Sequence, residues 1–145
     1  MTAVATISGH VGSRARAISF ARPLIGFPDD ERFVLQALEP RYAPYLALSA
    51  VRPGGPRFVV VAPGRIFPDY VIEIPEQDVE LLGLADEGVV EVLCLVTRRS
   101  DGVPTVNLLG PLVVNQATSV AAQVVLADSG YQAAVPVDAA RARQA

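Results

Sequence analysis

The sequence predicts an all-β domain with one short helix. Three observations carry that assignment. β-Branched and aromatic residues gather in short runs at 58–62, 89–97 and 105–115, the composition that suits a pleated, half-buried surface. Pro and Gly clusters at 23–28, 40–56 and 98–104 break the chain between such runs. A helical spacing of apolar residues occurs once, just before Gly83. With 145 residues, 51% hydrophobic and 19% charged, the chain has the length and filling of one domain. The expected domain covers 1–135, with a loose lead-in at 1–16 and a flexible tail at 136–145.

Taken in order, residues 1–16 are small, polar and Gly-punctuated, with an edge strand expected at 4–8. Order firms up near 17–20. Pro23 and Pro28 enclose Leu24, Ile25, Gly26 and Phe27, a rigid turn whose apolar side chains still favour burial, and Asp29, Asp30 and Glu31 keep the next bend in water. Residues 33–38 read as a short strand, and 40–56 as irregular chain interrupted by a strand at 45–51. The run 58–62 is a buried strand. From 68 to 75, Tyr70, Ile72 and Ile74 alternate with Asp69, Val71 and Glu73, the period of a half-exposed strand. Pro75, the acids Glu76 and Asp78, the apolar Val79, Leu81 and Leu82, and a closing Gly83 mark the helix.

Residues 89–97 form the longest expected strand, 98–104 a turn, and 105–115 the returning arm. A turn at 115–118 leads to a third strand at 119–126, firmest at 123–126, and the three make an antiparallel meander. The returning arm carries a Gly-Pro break. Pro111 has no N–H for a ladder and disfavours helix at Gly110, so a bulge or barrel corner is expected there. Asn107 and Asn115 bracket the break and are expected to hold it by bonding backbone groups that lose ladder partners. Asn107, Gly110, Pro111 and Asn115 therefore read as structural.

Chemistry has few residues to work with: one His, one Cys and no Lys. Cys94 shares an apolar face with Val90, Val92 and Val96, which reads as a buried, inert thiol in a reducing cytoplasm. His10 lies in the lead-in, far from any partner. No secretory signal is recognisable, and no apolar run approaches the ~20 residues of a membrane span. No Gly-rich phosphate cradle precedes a helix, and the twelve Arg look scattered, which disfavours nucleotide enzymes and nucleic-acid binding. Eight of the fifteen acids lie between Arg65 and Arg98 without a basic residue among them. They form either a solvated face with helix N-terminal charges or a docking face for a basic partner. Their spacing matches no calcium loop. Phe67 and Tyr70 beside them read either as rim anchors or as core aromatics. A competing class is a small-ligand or metal-dependent β-barrel protein using the acids of 69–91.

Several segments together resemble the flagellar assembly factor FliW family of bacteria: Leu24-Ile25-Gly26-Phe27-Pro28, Phe58-Val59-Val60-Val61 with Pro63, Phe67-Pro68-Asp69-Tyr70, the stretch from Val106 to Asn115, and Gln123-Val124-Val125-Leu126 with Tyr131. The resemblance covers about 18–131. It implies a small all-β, barrel-like fold, no enzymatic activity and a cytoplasmic location; beside it, the residues lead us to expect no cofactor and no nucleic acid or membrane as direct partner. It further implies binding to flagellin and to the translational regulator CsrA, which compete for the protein. Flagellin leaving by export would then free it to sequester CsrA and permit flagellin translation. CsrA-type regulators tend to be basic, so the acidic stretch is the expected contact surface, with Phe67, Asp69, Tyr70, Glu73 and Asp78 as partner-binding residues. The chain departs from the family pattern at Arg52-Pro53-Gly54-Gly55-Pro56-Arg57, in place of a shorter, more acidic turn, and at Ala62, where an acid commonly precedes the Pro.

Overall fold

Alternation along the strands decides which side chains meet. The computed structural model describes residues 3–5, 15–84 and 90–137, the first three through their backbone alone. The elements are β1 (Ala3–Ala5), β2 (Arg16–Phe20), β3 (Arg32–Ala37), β4 (Leu46–Ala50), β5 (Arg57–Val61), β6 (Ile72–Ile74), α1 (Glu76–Leu82), β7 (Val90–Arg98), β8 (Pro104–Val106), β9 (Leu112–Asn115), β10 (Val120–Gln123) and β11 (Val135–Pro136). Strands β7, β5, β4, β3, β2, β10 and β9 pair in that order, and β9 pairs back onto β7. The ring is a closed seven-strand barrel with a single helix, as the sequence predicts in outline. Closure removes the bare edges that an open sheet presents.

One side of each ring strand fills the barrel. Ile18 and Phe20, Phe33 and Leu35, Leu46 and Leu48, Val60, Leu93, and Leu112 and Val114 make one buried cluster. The Phe33 ring lies 5.3 Å from Phe20 and 6.2 Å from Phe58. Burial of each such side chain is worth roughly 1.5–3 kcal/mol. The opposite faces of β7, β9 and β10 are covered too. Val92, Cys94, Val113 and Ala122 pack beneath Ile72, Ile74, Val79 and Leu82 of β6 and α1 in a second cluster. This double covering explains why 89–97, with Glu91 as its one charge, and 112–114 read as near-continuous apolar runs instead of alternating ones.

The helix follows Pro75 and ends at Gly83, whose φ of 67° turns the chain so that the Leu84 N–H reaches Val79 O at 2.9 Å. That is the left-handed stop a glycine supplies. Its buried face is Asp78, Val79 and Leu82; Leu81, expected among its apolar positions, is exposed.

The returning arm differs from the expected single bent strand. Strands β8 and β9 both pair with β7, Val106 opposite Val96 and Leu112 opposite Leu93. The five residues 107–111 therefore stand opposite only Cys94 and Leu95, a bulge that divides the arm in two. Asn107 holds the bulge as expected, its Oδ1 accepting the N–H groups of Leu109 (3.1 Å) and Gly110 (2.9 Å). Asn115 does not. Its Nδ2 donates to Leu82 O (2.8 Å) and its Oδ1 accepts Ala117 N–H (2.9 Å), so it ties the helix end to the turn after β9. The second brace of the bulge is Gln123, whose Nε2 donates to Gly110 O (3.0 Å) while its Oε1 accepts Ile25 N–H (3.3 Å). A Cβ on Gly110 would approach that Nε2 to 3.0 Å and the Asn107 Nδ2 to 3.4 Å. Asn107→Ala, which frees two N–H groups, is expected to cost about 2 kcal/mol in urea unfolding, and Asn107→Asp distinctly less, because the carboxylate keeps the acceptor.

Four other expectations need correction. The strand expected at 4–8 is formed at Ala3–Ala5, antiparallel to β6, while 6–14 lies outside the described residues. The strand expected over 68–75 shortens to Ile72–Ile74 because 63–70 is folded into turns. The third strand ends at Gln123, and β10 also pairs in parallel with β2, Val120 opposite Ser19. Finally, Pro136 pairs with Thr105 and Val137 is buried, so both belong to the folded part and not to a tail.

Three buried acids each meet an arginine distant in the chain, and Asp30, expected in water, is held by Arg52 Nε and Nη2, both at 2.9 Å. Glu91, 1% exposed, shares the inward side of β7 with Leu93, and Arg16 shares that of β2 with Ile18; Arg16 Nη1 meets Glu91 Oε1 at 2.9 Å. The second oxygen, Oε2, is buried without a hydrogen-bond partner. Asp78 pairs with Arg22, which also donates to Gln123 O at 3.0 Å.

Candidate partner-binding site

The acidic surface is built on the turns after β5. A short 3-10 turn at Pro63–Arg65 is followed by Phe67 N–H to Pro63 O (2.7 Å) and Tyr70 N–H to Phe67 O (3.0 Å). These bonds fold Phe67 and Tyr70 back onto the core, where both are buried. Neither is the protruding anchor that a rim position implies. The Tyr70 hydroxyl donates to Leu108 O (2.8 Å), and burial pushes its pKa above the ordinary tyrosine range. Its ring meets Tyr131 edge-on at 4.6 Å.

Between the turns, Asp69 stays exposed, and alternation along β6 turns Val71 and Glu73 outward while Ile72 and Ile74 face in. Two depressions result. One, of ≈ 380 Å³, is lined by Phe67, Asp69, Tyr70, Leu108 and Tyr131. The other, of ≈ 670 Å³, is lined by Glu73, Gln77, Asp128 and Tyr131. They adjoin at Tyr131, whose hydroxyl donates to Val71 O (3.0 Å) and accepts Val71 N–H (3.3 Å). Half-buried and pinned at both positions, Tyr131 is the aromatic at the surface of this region. Sequence reasoning cites Tyr131 only within the family resemblance and gives Asp128 no role, so both are missed as residues of this surface. Their contribution arises from the loop between β10 and β11, distant in the chain from 67–73.

Asp78 does not join this surface. It is 2% exposed, because on a helix it shares the inward face with Val79 and Leu82, and Arg22 supplies its counter-charge. Glu91 is likewise internal, and Asp86 and Glu87 lie outside the described residues. The acids of the run that face outward are Asp69, Glu73, Glu76 and Glu80. Cys94 offers no nucleophile: burial pushes its thiol up to about 12, so it stays protonated at neutral pH. Among the described residues no three His, Cys, Asp or Glu gather as metal ligands, and no helix is long and apolar enough to cross a membrane. The arrangement is suited to holding a protein surface by charge and shape.

A family model described as "FliW protein" matches residues 5–137. The chain belongs to the FliW family. Among relatives, the flagellar assembly factor FliW of Bacillus licheniformis is 33% identical over 123 residues, covering 84% of this chain and 85% of that protein. The flagellar assembly factor FliW of Bacillus subtilis (strain 168) is 34% identical over 121 residues, covering 83% and 84%. A crystal structure of the flagellar assembly factor FliW is similar with a TM-score of 0.75 at 28% identity, over 83% of this chain and 84% of the other. The family match includes the bulge at 107–111 and both depressions, so the surface described above belongs to the FliW domain itself.

Proposed function

We propose that this FliW-family chain is a non-catalytic, cytoplasmic flagellar assembly factor that binds flagellin and the translational regulator CsrA, coupling flagellin export to flagellin translation. The acidic surface is assigned to CsrA, the basic partner. The observation that carries this reading is the outward display of Asp69 and Glu73 on the two depressions that meet at Tyr131, with Asp128 added from across the fold. No Lys or Arg occurs in the sequence from 66 to 97. A one-sign surface of this kind accelerates and orients encounter with a basic partner. Phe67 and Tyr70 serve it as walls, and Asp78 serves it only by fixing the helix beneath.

Asp69→Arg combined with Glu73→Arg should leave the fold intact, because both side chains are exposed, and should weaken CsrA binding at least ten-fold, or about 1.4 kcal/mol. Isothermal calorimetry with the cognate CsrA measures this directly. The wild-type affinity should fall as salt is raised. Unchanged affinity in a variant with native circular dichroism would reject the surface.

A further inference from the structure

Strand β6 pairs on one side only, with β1. In an antiparallel ladder, pairs that exchange both backbone bonds alternate with pairs that exchange none. An Ala3–Ile74 pair of the second kind would be bracketed by bonds from residues 73 and 75, and Pro75 has no N–H to give. Ile72 and Ile74 therefore bond to β1, and the N–H and C=O groups of Val71 and Glu73 point away from it. The contacts of Val71 agree: both of its groups meet the Tyr131 hydroxyl, at 3.3 and 3.0 Å, as they would a neighbouring strand. Tyr131 thus caps one end of the free edge, and α1 begins at the other with Glu76. Between them, among the described residues, nothing bonds the Glu73 backbone on that side.

The depression of ≈ 670 Å³ runs along this edge, with 125–131 as its far wall. That wall is held without help from the Glu73 backbone: Leu126 N–H bonds to Leu109 O (2.8 Å), Ser129 N–H to Leu126 O (3.2 Å) and Tyr131 N–H to Ser129 Oγ (3.1 Å). Alternation fixes what a strand laid in the gap would meet. The residue opposite Glu73 shares the outer face with its carboxylate, and the residues on either side of it point inward, toward the buried Ile72 and Leu126. Asp128 adds a second exposed acid from the far wall. No Arg lines the depression, and among the described residues neither Glu73 nor Asp128 has a basic partner.

We propose that the acidic surface takes its partner as an added β-strand: an extended, basic segment of a partner protein lies along β6, one residue exchanging both backbone bonds with Glu73. That residue is a Lys or Arg paired with the Glu73 carboxylate, and its two neighbours are apolar and rest on Ile72 and Leu126. Backbone bonds fix the register, and the alternating side chains select the segment. The inference rests on the acidic surface being a docking face for a basic protein, and adds the conformation in which that protein is met.

Three synthetic peptides titrated into the isotope-labelled full chain test this. One is centred on Val-Arg-Val, one carries Glu in place of the Arg, and one keeps the Arg but is N-methylated at its amide, which retains the charge and removes the backbone donor. The first should bind at least ten-fold more tightly than either of the others, and should slow hydrogen exchange at the Glu73 amide. Glu73→Gln should shrink the preference for Arg over Glu and leave the effect of N-methylation intact. Equal affinity of the two Arg peptides, with the Glu peptide weaker, would overturn the added strand and leave the acidic surface standing. Equal affinity of the Arg and Glu peptides would overturn both. No binding of any peptide at millimolar concentration would overturn the strand, calorimetry with CsrA judging the surface separately. So would a Glu73 amide already protected in the free protein, because the edge would then be filled from within the chain or by a second copy.

Discussion

Arg16→Ala is expected to destabilise the protein by about 3–5 kcal/mol, the cost of leaving one buried charge without its partner. The site is asymmetric: the Glu91 side chain is 1% exposed and that of Arg16 26%. Removing the arginine leaves both carboxylate oxygens unsatisfied inside the barrel, because Oε2 has no partner even in the intact pair. Arg16→Met with Glu91→Leu removes both charges and should recover most of the loss, since apolar replacement of a buried ion pair is often neutral or better. Urea unfolding of the two variants and the wild type measures the difference. A loss below about 1 kcal/mol for Arg16→Ala would mean that solvent reaches Glu91 and the pair is not a buried one. Against a total of roughly 5–15 kcal/mol for a domain, the expected loss is large enough to bring the single variant close to unfolding.

Arg22→Ala is expected to cost about 3 kcal/mol, and more than Asp78→Ala. The arginine side chain is 42% exposed and can turn to water when its partner is lost, whereas Asp78, at 3%, cannot. Asp78→Ala forfeits the ion pair and a first-turn acid, together worth about 1–2 kcal/mol. Arg22→Ala strands a buried carboxylate and also removes the donor to Gln123 O. Hydrogen exchange should locate the damage, with the Gly83 and Leu84 amides, which bond back into α1, losing protection first. Equal losses in the two variants would contradict this asymmetry.

Both arginines illustrate where sequence reasoning stops. Local patterns are legible: the period of two from Tyr70 to Ile74 sets inward and outward faces as observed, Gly83 ends the helix, and Asn107 holds a break that Pro111 makes necessary. What local pattern cannot convey is which partner reaches a residue from elsewhere. A first-turn acid such as Asp78 looks the same whether it faces water or an arginine 56 positions away. Tyr70 beside Asp69 resembles a rim aromatic until the turns at 63–70 fold it under Leu108. The split of the returning arm and the exchange of roles between Asn115 and Gln123 likewise depend on β7 and α1 lying where they do. At the candidate site, Asp69 and Glu73 are legible as outward acids, whereas Tyr131 and Asp128 enter only through tertiary folding.

The pairing of β2 with β10 also bears on how the molecule comes into being on the ribosome. This seam joins Ser19 to Val120, so the first ring strand to be synthesised waits for the last. Until β10 has emerged, the nascent sheet is an open ribbon with β2 at a bare edge, able to pair with other chains. A chain interrupted before that point lacks a closed barrel, the Gln123 brace and Tyr131. The closed barrel thus arrives at the end of translation instead of accumulating along it.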